Sequence, residues 1–231
     1  MKKIFITLLI LISFKSISYA NTKIDYYNYW VHSNGEIKNI KLEQFKADIK
    51  KYNITDINQR DEVNNNIIIY SCRYTNDVEI LKYLISLGAN INDCTALDVS
   101  DNPNLEIVKM VINAGADVNI QNKVPVLSFA VTFNDNYEVI KFFINSGADV
   151  KYTYTSDGYT GSALHDALFR KTMARKPIDI RVIKLLIKHG ADVNYVDSKG
   201  FAPLDIARRF KRTDIVNLLK QHGAKYSGNV K

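Results

Sequence analysis

The chain has four histidines that could transfer protons near neutral pH: His32, His165, His189 and His222. No zinc-ligand spacing pattern surrounds His32. The sequence also lacks a glycine-rich phosphate loop, a Gly-x-Ser-x-Gly nucleophile turn and a His-Glu-x-x-His motif. We therefore predict no catalytic site, no cofactor and no metal, and a non-enzymatic function is favoured.

Arginines are concentrated in one part of the chain. Six of the eight lie between Arg170 and Arg212, although lysines outnumber arginines 23 to 8. The guanidinium group suits carboxylate and phosphate recognition better than lysine does. If segments 169–177 and 208–212 are equivalent turns of neighbouring repeats, they form one basic edge that docks an acidic protein surface or an anionic envelope component. Its candidate contacts are Arg170, Lys171, Arg175, Lys176, Arg208, Arg209, Lys211 and Arg212. The alternative is an ordinary solvated edge with acidic neighbours at Asp166, Asp179 and Asp214.

Tyrosines are concentrated in segment 151–160, where they alternate with threonines before Asp157 and Gly158. Alternation followed by an Asp-Gly turn predicts a short β-hairpin. Tyrosine gives a large contact area at a low entropic cost, so this loop is a candidate recognition surface. Its predicted partner contacts are Tyr152, Tyr154 and Tyr159. The alternative is that one or two of these side chains pack on the equivalent loops of neighbouring repeats, which are called fingers below.

The elements that position these segments recur along the chain. Copies of the phrase Gly-Ala-Asp-Val-Asn, some degenerate, begin at Gly88, Gly115, Gly147, Gly190 and Gly223, at intervals of 27, 32, 43 and 33 residues. Each glycine follows a predicted amphipathic outer helix, which it ends by adopting the left-handed conformation. A shorter inner helix is predicted upstream in each copy, in segments that open with Ile67, Thr95, Pro125, Ser162 and Gly200. This recurrence indicates a stacked repeat array.

The inner-helix segments resemble the Thr-Pro-Leu-His-x-Ala opening of the ankyrin repeat, most clearly Ser-Ala-Leu-His-Asp-Ala at 162–167. With the Gly-Ala-Asp-Val-Asn endings, the resemblance covers roughly residues 54–226. It implies an all-α, ankyrin-type helical solenoid with β-turn fingers, of about five repeats and a degenerate N-terminal cap. It also implies structural roles for three histidines, including a hydrogen bond between His165 and Ser162. His189 and His222 precede terminal glycines, where the family often has histidine.

Departures from the repeat locate its ends and its altered surfaces. The seventh outer-helix position changes from isoleucine to Lys220, which predicts that the array stops there because burying a lysine is costly. Segments 42–49 and 56–58 resemble a degenerate outer helix and finger, and we expect them to cap the other end. The connector 88–95 is so short that its finger is largely missing. Residues 21–40 are compatible with a hairpin or a helix, and the helix is preferred.

The first twenty residues have the pattern of a secretory signal peptide, with cleavage predicted after Ala20. Removing Lys2, Lys3 and Lys15 lowers the basic count from 31 to 28, so the net charge falls from +7 to +4. This mild charge does not indicate a nucleic-acid partner. We predict a signal peptide at 1–20, a cap at 21–53, the repeat array at 54–226 and a tail at 227–231. The mature chain is expected to be periplasmic or secreted, without a membrane span.

The two cysteines, Cys72 and Cys94, would meet an oxidising compartment after export, and a disulfide is one interpretation. The repeat register places Cys72 late in one inner helix and Cys94 just before the next. These positions lie far apart in the repeat, whereas a disulfide needs Cα atoms within about 7 Å. We therefore favour two separate, semi-buried thiols.

These observations favour a monomeric, non-catalytic module that binds a protein partner through its β-turn fingers and inner helices. The partner's surface is expected to be acidic where it meets the basic edge. Two alternatives are an accessory factor for an exported enzyme or cofactor pathway, and a secreted effector that binds a host protein. A hydrolase built on the repeats is the least favoured interpretation.

Overall fold

The computed structural model describes residues 39–120, 123–173 and 177–228. The chain divides into two compact units, one up to Cys94 and one from Thr95. The predictions for the signal peptide, for residues 21–38, for His32, and for Arg175 and Lys176 lie outside the described residues. Each unit is built from the helical repeat that the sequence predicts.

Residues 39–94 of the first unit form three α-helices and one short 3₁₀ segment. The helices are α1 (Leu42–Lys51), α2 (Ile67–Tyr74) and α3 (Val78–Ser86), and the 3₁₀ segment spans Ile91–Asp93. The apolar faces of α1 and α3 meet, and the buried Phe45 ring packs edge-on against Tyr83 at a centroid distance of 6.5 Å. The expected helix at 42–49 is therefore present, and its role as a cap stays a prediction.

The described residues of the second unit form two layers of helices and one hairpin. The inner helices are α5 (Val126–Phe133), α7 (Ala163–Met173) and α9 (Pro203–Arg209). The outer helices are α4 (Leu105–Asn113), α6 (Tyr137–Asn145), α8 (Ile180–Lys188) and α10 (Thr213–Gln221). Within each layer consecutive helices pack on one another, which buries the aliphatic side chains of both layers. The hairpin strands, β1 (Thr153–Ser156) and β2 (Tyr159–Ser162), lead into α7.

The outer helices begin and end in the same way in successive copies. Four of them begin after an aspartate or asparagine whose side chain accepts the N–H two residues later: Asp77, Asn104, Asn136 and Asp179. All five helices that precede a repeat phrase, α3 included, end before a glycine with φ between +79° and +106°, as predicted: Gly88, Gly115, Gly147, Gly190 and Gly223. The alanine after each glycine donates its N–H back to the last helical turn.

The asparagine that ends the repeat phrase connects neighbouring copies. Asn119 donates from Nδ2 to the Gly147 carbonyl at 2.9 Å, and its Oδ1 accepts the Asp149 N–H at 2.8 Å. Asn194 makes the same two bonds with Gly223 and Lys225. In the first unit Asn58 bonds Gly88 and Asn90 in this way. Residues 56–58 thus make the contact of a repeat finger, although their sequence is degenerate.

The inner helix predicted from Thr95 is wrong, because residues 96–101 form successive turns. The N–H groups of Asp98, Ser100 and Asn102 each donate to the carbonyl three residues earlier. Leu97 precedes the outer-helix cap Asn104 by seven residues, whereas the equivalent Leu127 precedes Asn136 by nine. The segment is therefore two residues short. The Asp98 carboxylate tightens it further, because it accepts both the N–H and the hydroxyl of Thr95.

Cys72 and Cys94 form a disulfide with Cα atoms 6.6 Å apart, so the prediction of separate thiols is wrong. The register argument treated Cys94 as the start of the next inner helix. Instead, the 3₁₀ segment folds back against α2 and brings Cys94 to Cys72. Asp93 fixes this turn, because it pairs with Arg60 at 2.8 Å and accepts a hydrogen bond from Asn66.

We predict that breaking the disulfide destabilises the first unit. The bond closes a loop of 22 residues, for which the chain-entropy model gives about 3 kcal/mol. The paired Cys72→Ser and Cys94→Ser substitutions should lower the free energy of unfolding in urea by that order, and a reductant should affect the parent protein alone. Equal stability of the parent and the double variant would contradict this prediction.

We also predict that Asn119→Ala lowers the free energy of unfolding by about 1–2 kcal/mol, because two backbone groups lose a partner. Asn217→Ala is the control, since Asn217 is exposed on α10 and its side chain makes no hydrogen bond with a described residue. Urea unfolding of the two variants checks the prediction. A control that loses as much stability as Asn119→Ala would show that the connecting bonds contribute nothing specific.

Candidate interaction surface

The predicted hairpin is present and its register is regular. Thr153 pairs with Ser162, Thr155 with Thr160, and the turn falls at Asp157 and Gly158. Both turn residues have positive φ, +50° and +79°, as a tight two-residue hairpin turn requires. The Asp-Gly signal in the sequence therefore had a direct conformational cause.

Tyr154 fastens the hairpin to the helices beneath it. Its side chain is buried, with the residue only 7% exposed, and its hydroxyl donates to both carboxylate oxygens of Asp166 in α7, at 2.9 and 3.1 Å. Ser128 of α5 also hydrogen-bonds Asp166. Three elements thus meet at one buried carboxyl. Burial raises the pKa of Asp166 from 3.8 to about 7, and burial together with the carboxylate raises the pKa of Tyr154.

Tyr159 folds over its own strand and is half-buried. Its ring packs edge-on against Tyr154 at 6.4 Å and lies beneath the Lys199 ammonium at 5.2 Å. The ring fills the space beside Gly161, where an added Cβ would lie 2.5 Å from Cε1. Burial, the largest cause, raises the pKa of Tyr159. Most of this side chain is therefore used inside the fold.

The neighbouring finger holds the other side of the hairpin. The Ser198 N–H donates to the Thr160 carbonyl at 3.1 Å, and the Thr160 N–H donates to Ser198 Oγ at 2.9 Å. Ser198 Oγ also donates to the Gly158 carbonyl at 3.4 Å. The hairpin is consequently held by α7 on one side and by the next finger on the other.

Of the three tyrosines predicted as partner contacts, one is free to meet a partner. Tyr152 is 47% exposed, whereas the prediction for Tyr154 is wrong because its hydroxyl is bonded to a buried carboxyl. Tyr159 presents only part of its ring. The alternative of packing on a neighbouring finger describes Tyr159, whose ring meets Lys199, whereas Tyr154 packs against α7.

The predicted basic edge separates into anchored and exposed arginines. Arg170 is only 5% exposed, and it donates to the Val131 and Asn134 carbonyls at 3.0 and 2.6 Å and pairs with Asp135. Predicting Arg170 as a partner contact was therefore wrong. Arg212 is anchored similarly, to the Ile178 carbonyl at 2.7 Å and to Asp214. The Lys171 side chain is outside the described part of the structure.

Among the edge residues whose side chains the structure describes, the exposed ones are Arg208, Arg209 and Lys211. The Arg208 guanidinium lies 5.3 Å from the Tyr226 ring centroid, and Arg209 lies 5.6 Å from that of Phe201. The two predicted turns are neighbours, since Phe169 and Phe210 pack edge-on at 6.3 Å. The two turns therefore lie side by side, and the exposed positive charge that the structure describes lies at the end of α9 and at Lys211.

The described histidines have structural partners. In His165, Nδ1 accepts from the Ser162 hydroxyl at 2.9 Å, and Nε2 donates to the Phe201 carbonyl at 3.2 Å, so the predicted bond to Ser162 is confirmed. Burial lowers the pKa of this fully buried imidazole. His189 and His222 each place Nδ1 2.9 Å from the carbonyl four residues earlier. The Ser162–His165 pair thus lies away from any surface that a substrate could reach.

The described ranges contain no group of three or more side chains suited to a metal ion. The same residues include no helix with the length and apolar character needed to cross a membrane.

Asp166 is the residue that the sequence argument failed to recognise. It was considered only as a solvated neighbour of the basic edge, whereas it lies at the centre of the hairpin's attachment. A signal was available: the equivalent positions in the other inner helices of this unit are Phe129 and Ile206. A carboxyl at an otherwise apolar inner-helix position predicts burial with a dedicated partner.

We predict that Asp166 makes stability depend on pH. The pKa of Asp166 is raised on folding, so the folded chain keeps a proton that the unfolded chain releases. The contribution of Asp166 to the free energy of unfolding therefore falls as pH rises from about 4 to about 7. Asp166→Asn should gain about 2–3 kcal/mol relative to the parent between pH 5 and pH 8. Urea unfolding at both pH values measures this gain.

Glu106→Gln, an exposed substitution on α4, is the control and should follow the parent at both pH values. If the Asp166→Asn variant also parallels the parent, Asp166 is ionised in the fold throughout the range.

Comparison with known proteins relates this architecture to one family. A chain from the solved complex of a predatory endopeptidase of Bdellovibrio bacteriovorus with an immunity protein is similar in structure, with a TM-score of 0.59 and 20% sequence identity. The match covers 78% of this chain and 92% of that one, and at this identity it shows the fold alone. No curated protein sequence matches the chain. The family model of ankyrin repeats (3 copies) matches residues 39–122 and 127–229. Because these ranges make up well over half of the sequence, the chain belongs to the ankyrin repeat family.

Proposed function

We propose that the protein is an exported, non-catalytic interaction module of five repeats that binds a protein partner through the hairpin finger and the adjoining inner helices. Ankyrin repeats are generally interaction modules, which supports binding over catalysis. The one observation that carries the proposal is the hairpin itself. It is longer than the other fingers, is held from two sides, and leaves Tyr152 exposed.

Rigid presentation is the physical reason for choosing this finger. An aromatic side chain on a preorganised loop contributes contact area without the ordering cost that a flexible loop incurs. The solved structure of similar fold supports this proposal, since it is that of an immunity protein in complex with an endopeptidase. We infer by analogy that the present chain also binds another protein.

Export is part of the proposal and rests on two observations. The first twenty residues match a signal peptide, and the disulfide between Cys72 and Cys94 suits an oxidising compartment. A periplasmic or secreted location accommodates both partner classes: an exported enzyme that the protein assists, or a host protein that it binds as an effector. The identity of the partner decides between them.

The test is cross-linking in the native cells, followed by purification of the mature chain and identification of the attached protein. We expect Tyr152→Ala to weaken recovery of that protein about tenfold or more, the size of an interface hot spot. Tyr52→Ala is the matched control, because Tyr52 is similarly exposed, at 41%, but lies after α1. Recovery that survives Tyr152→Ala, or that falls equally in the control, would contradict the proposed surface.

A further inference from the structure

The exposed side of α9 forms one wall of an open groove of about 340 Å³. The groove is lined by Phe201, Asp205, Arg208 and Arg209. The tail that follows α10 lies beside it, because the Ser227 N–H donates to Asp205 Oδ2 at 3.0 Å. Tyr226 brings its ring to the Arg208 guanidinium and, at 5.8 Å, to the Lys220 ammonium.

The two arginines of the groove keep unused hydrogen-bond donors. Arg60, Arg170, Arg181 and Arg212 each pair with a carboxylate. Arg208 and Arg209 instead stack on aromatic rings and make no ion pair or hydrogen bond from the guanidinium with a described residue. A guanidinium carries five N–H donors in a planar fork, so both side chains retain the groups that bind a carboxylate bidentately.

Asp205 does not neutralise this charge. Its Oδ2 accepts the N–H groups of Ala202 and Ser227, at 2.9 and 3.0 Å, and the residue is buried. It has no ion pair with Arg208 or Arg209, both of which the structure describes. The mouth of the groove therefore carries exposed positive charge, while a fixed carboxylate belongs to its wall.

We propose that this groove binds a glutamate or aspartate side chain from an acidic segment of a protein partner. The Arg208 and Arg209 forks would hold the carboxylate, and the Phe201 ring would contact the aliphatic part of the side chain. A singly charged carboxylate fits better than a phosphate dianion, because Asp205 repels the second charge. The inference rests on the proposed protein-binding function and names the chemistry of a second contact.

The test measures binding of a labelled, C-terminally amidated hexaglutamate peptide to the mature chain by fluorescence anisotropy at low salt. Hexaglutamine is the neutral comparison. We expect the paired Arg208→Gln and Arg209→Gln substitutions to weaken binding at least tenfold. Lys184→Gln with Lys188→Gln removes the same charge from exposed positions on α8 and should weaken binding less than twofold.

A third variant separates fork recognition from charge alone. Arg208→Lys with Arg209→Lys keeps the charge but loses the planar fork, so we expect its affinity to fall between those of the parent and the glutamine pair. Three outcomes would overturn the proposal: no saturable binding of hexaglutamate, equal losses in the arginine and lysine variants, or binding only to phosphatidylglycerol vesicles. The last outcome would assign the groove to a membrane surface.

The two proposals fail separately. If recovery of the cross-linked partner depends on Tyr152 but binding of hexaglutamate does not depend on Arg208 and Arg209, the groove proposal fails and the proposed function stands. Arginine-dependent peptide binding without a Tyr152-dependent partner retains the groove and removes the hairpin surface.

Discussion

The hydrogen bonds from one asparagine side chain to the backbone of the next copy determine how neighbouring repeats are joined. Asn58, Asn119 and Asn194 each donate to a helix-ending glycine carbonyl and accept an N–H two residues later. In the third copy this position is Lys151, whose stem lies against Gly190 and cannot make both bonds. Here the hairpin supplies the connection through backbone bonds between Thr160 and Ser198. The unusual finger therefore has a structural task, and its exposed residues, Tyr152 among them, are the part not used in that task.

The same requirement explains why arginines that look alike in sequence have different roles. Turn carbonyls of one repeat need donors from the next, because buried backbone groups are costly when unpaired. Asn134 bonds the Ser100 and Asn102 carbonyls, and Asn136 bonds the Pro103 carbonyl. One repeat later Arg170 serves the Val131 and Asn134 carbonyls, and then Arg212 serves that of Ile178. These two arginines replace asparagines as backbone donors. Among the described residues, no backbone carbonyl accepts a hydrogen bond from the guanidinium groups of Arg208 or Arg209, so their donors are not used in joining repeats.

The features predictable from the sequence were those with a local cause. The glycine phrases predicted the helix ends because left-handed φ favours glycine, and the Asp157–Gly158 pair predicted the hairpin. The bond between His165 and Ser162 was instead implied by the resemblance to the ankyrin repeat. The features missed depend on contacts between distant segments. The inward turn of Tyr154 requires the carboxyl of Asp166, twelve residues away, and the disulfide requires a 3₁₀ segment whose fold-back no periodicity reveals. In the candidate site, the sequence located the segments rich in tyrosine and arginine, but it did not reveal which of their side chains are exposed.

The inner helix α9 differs from α5 and α7 in what its polar side chains contact. His165 donates to the carbonyl of the following segment, whereas Asp205 at the equivalent position accepts the Ser227 N–H of the tail. Three positions later in the helix, the equivalent residues Val131 of α5 and Leu168 of α7 are buried, whereas Arg208 of α9 is exposed. Exposed lysines would be enough to keep this surface soluble, because a solvated ammonium needs no fixed geometry. The contacts of Arg208 and Arg209 with the Tyr226 and Phe201 rings offset the side-chain entropy that ordering costs, and they use the faces of the guanidinium groups rather than their N–H donors. Donors that stay open on a positioned fork are what bidentate binding of a carboxylate requires, and this is the physical basis of the proposed groove.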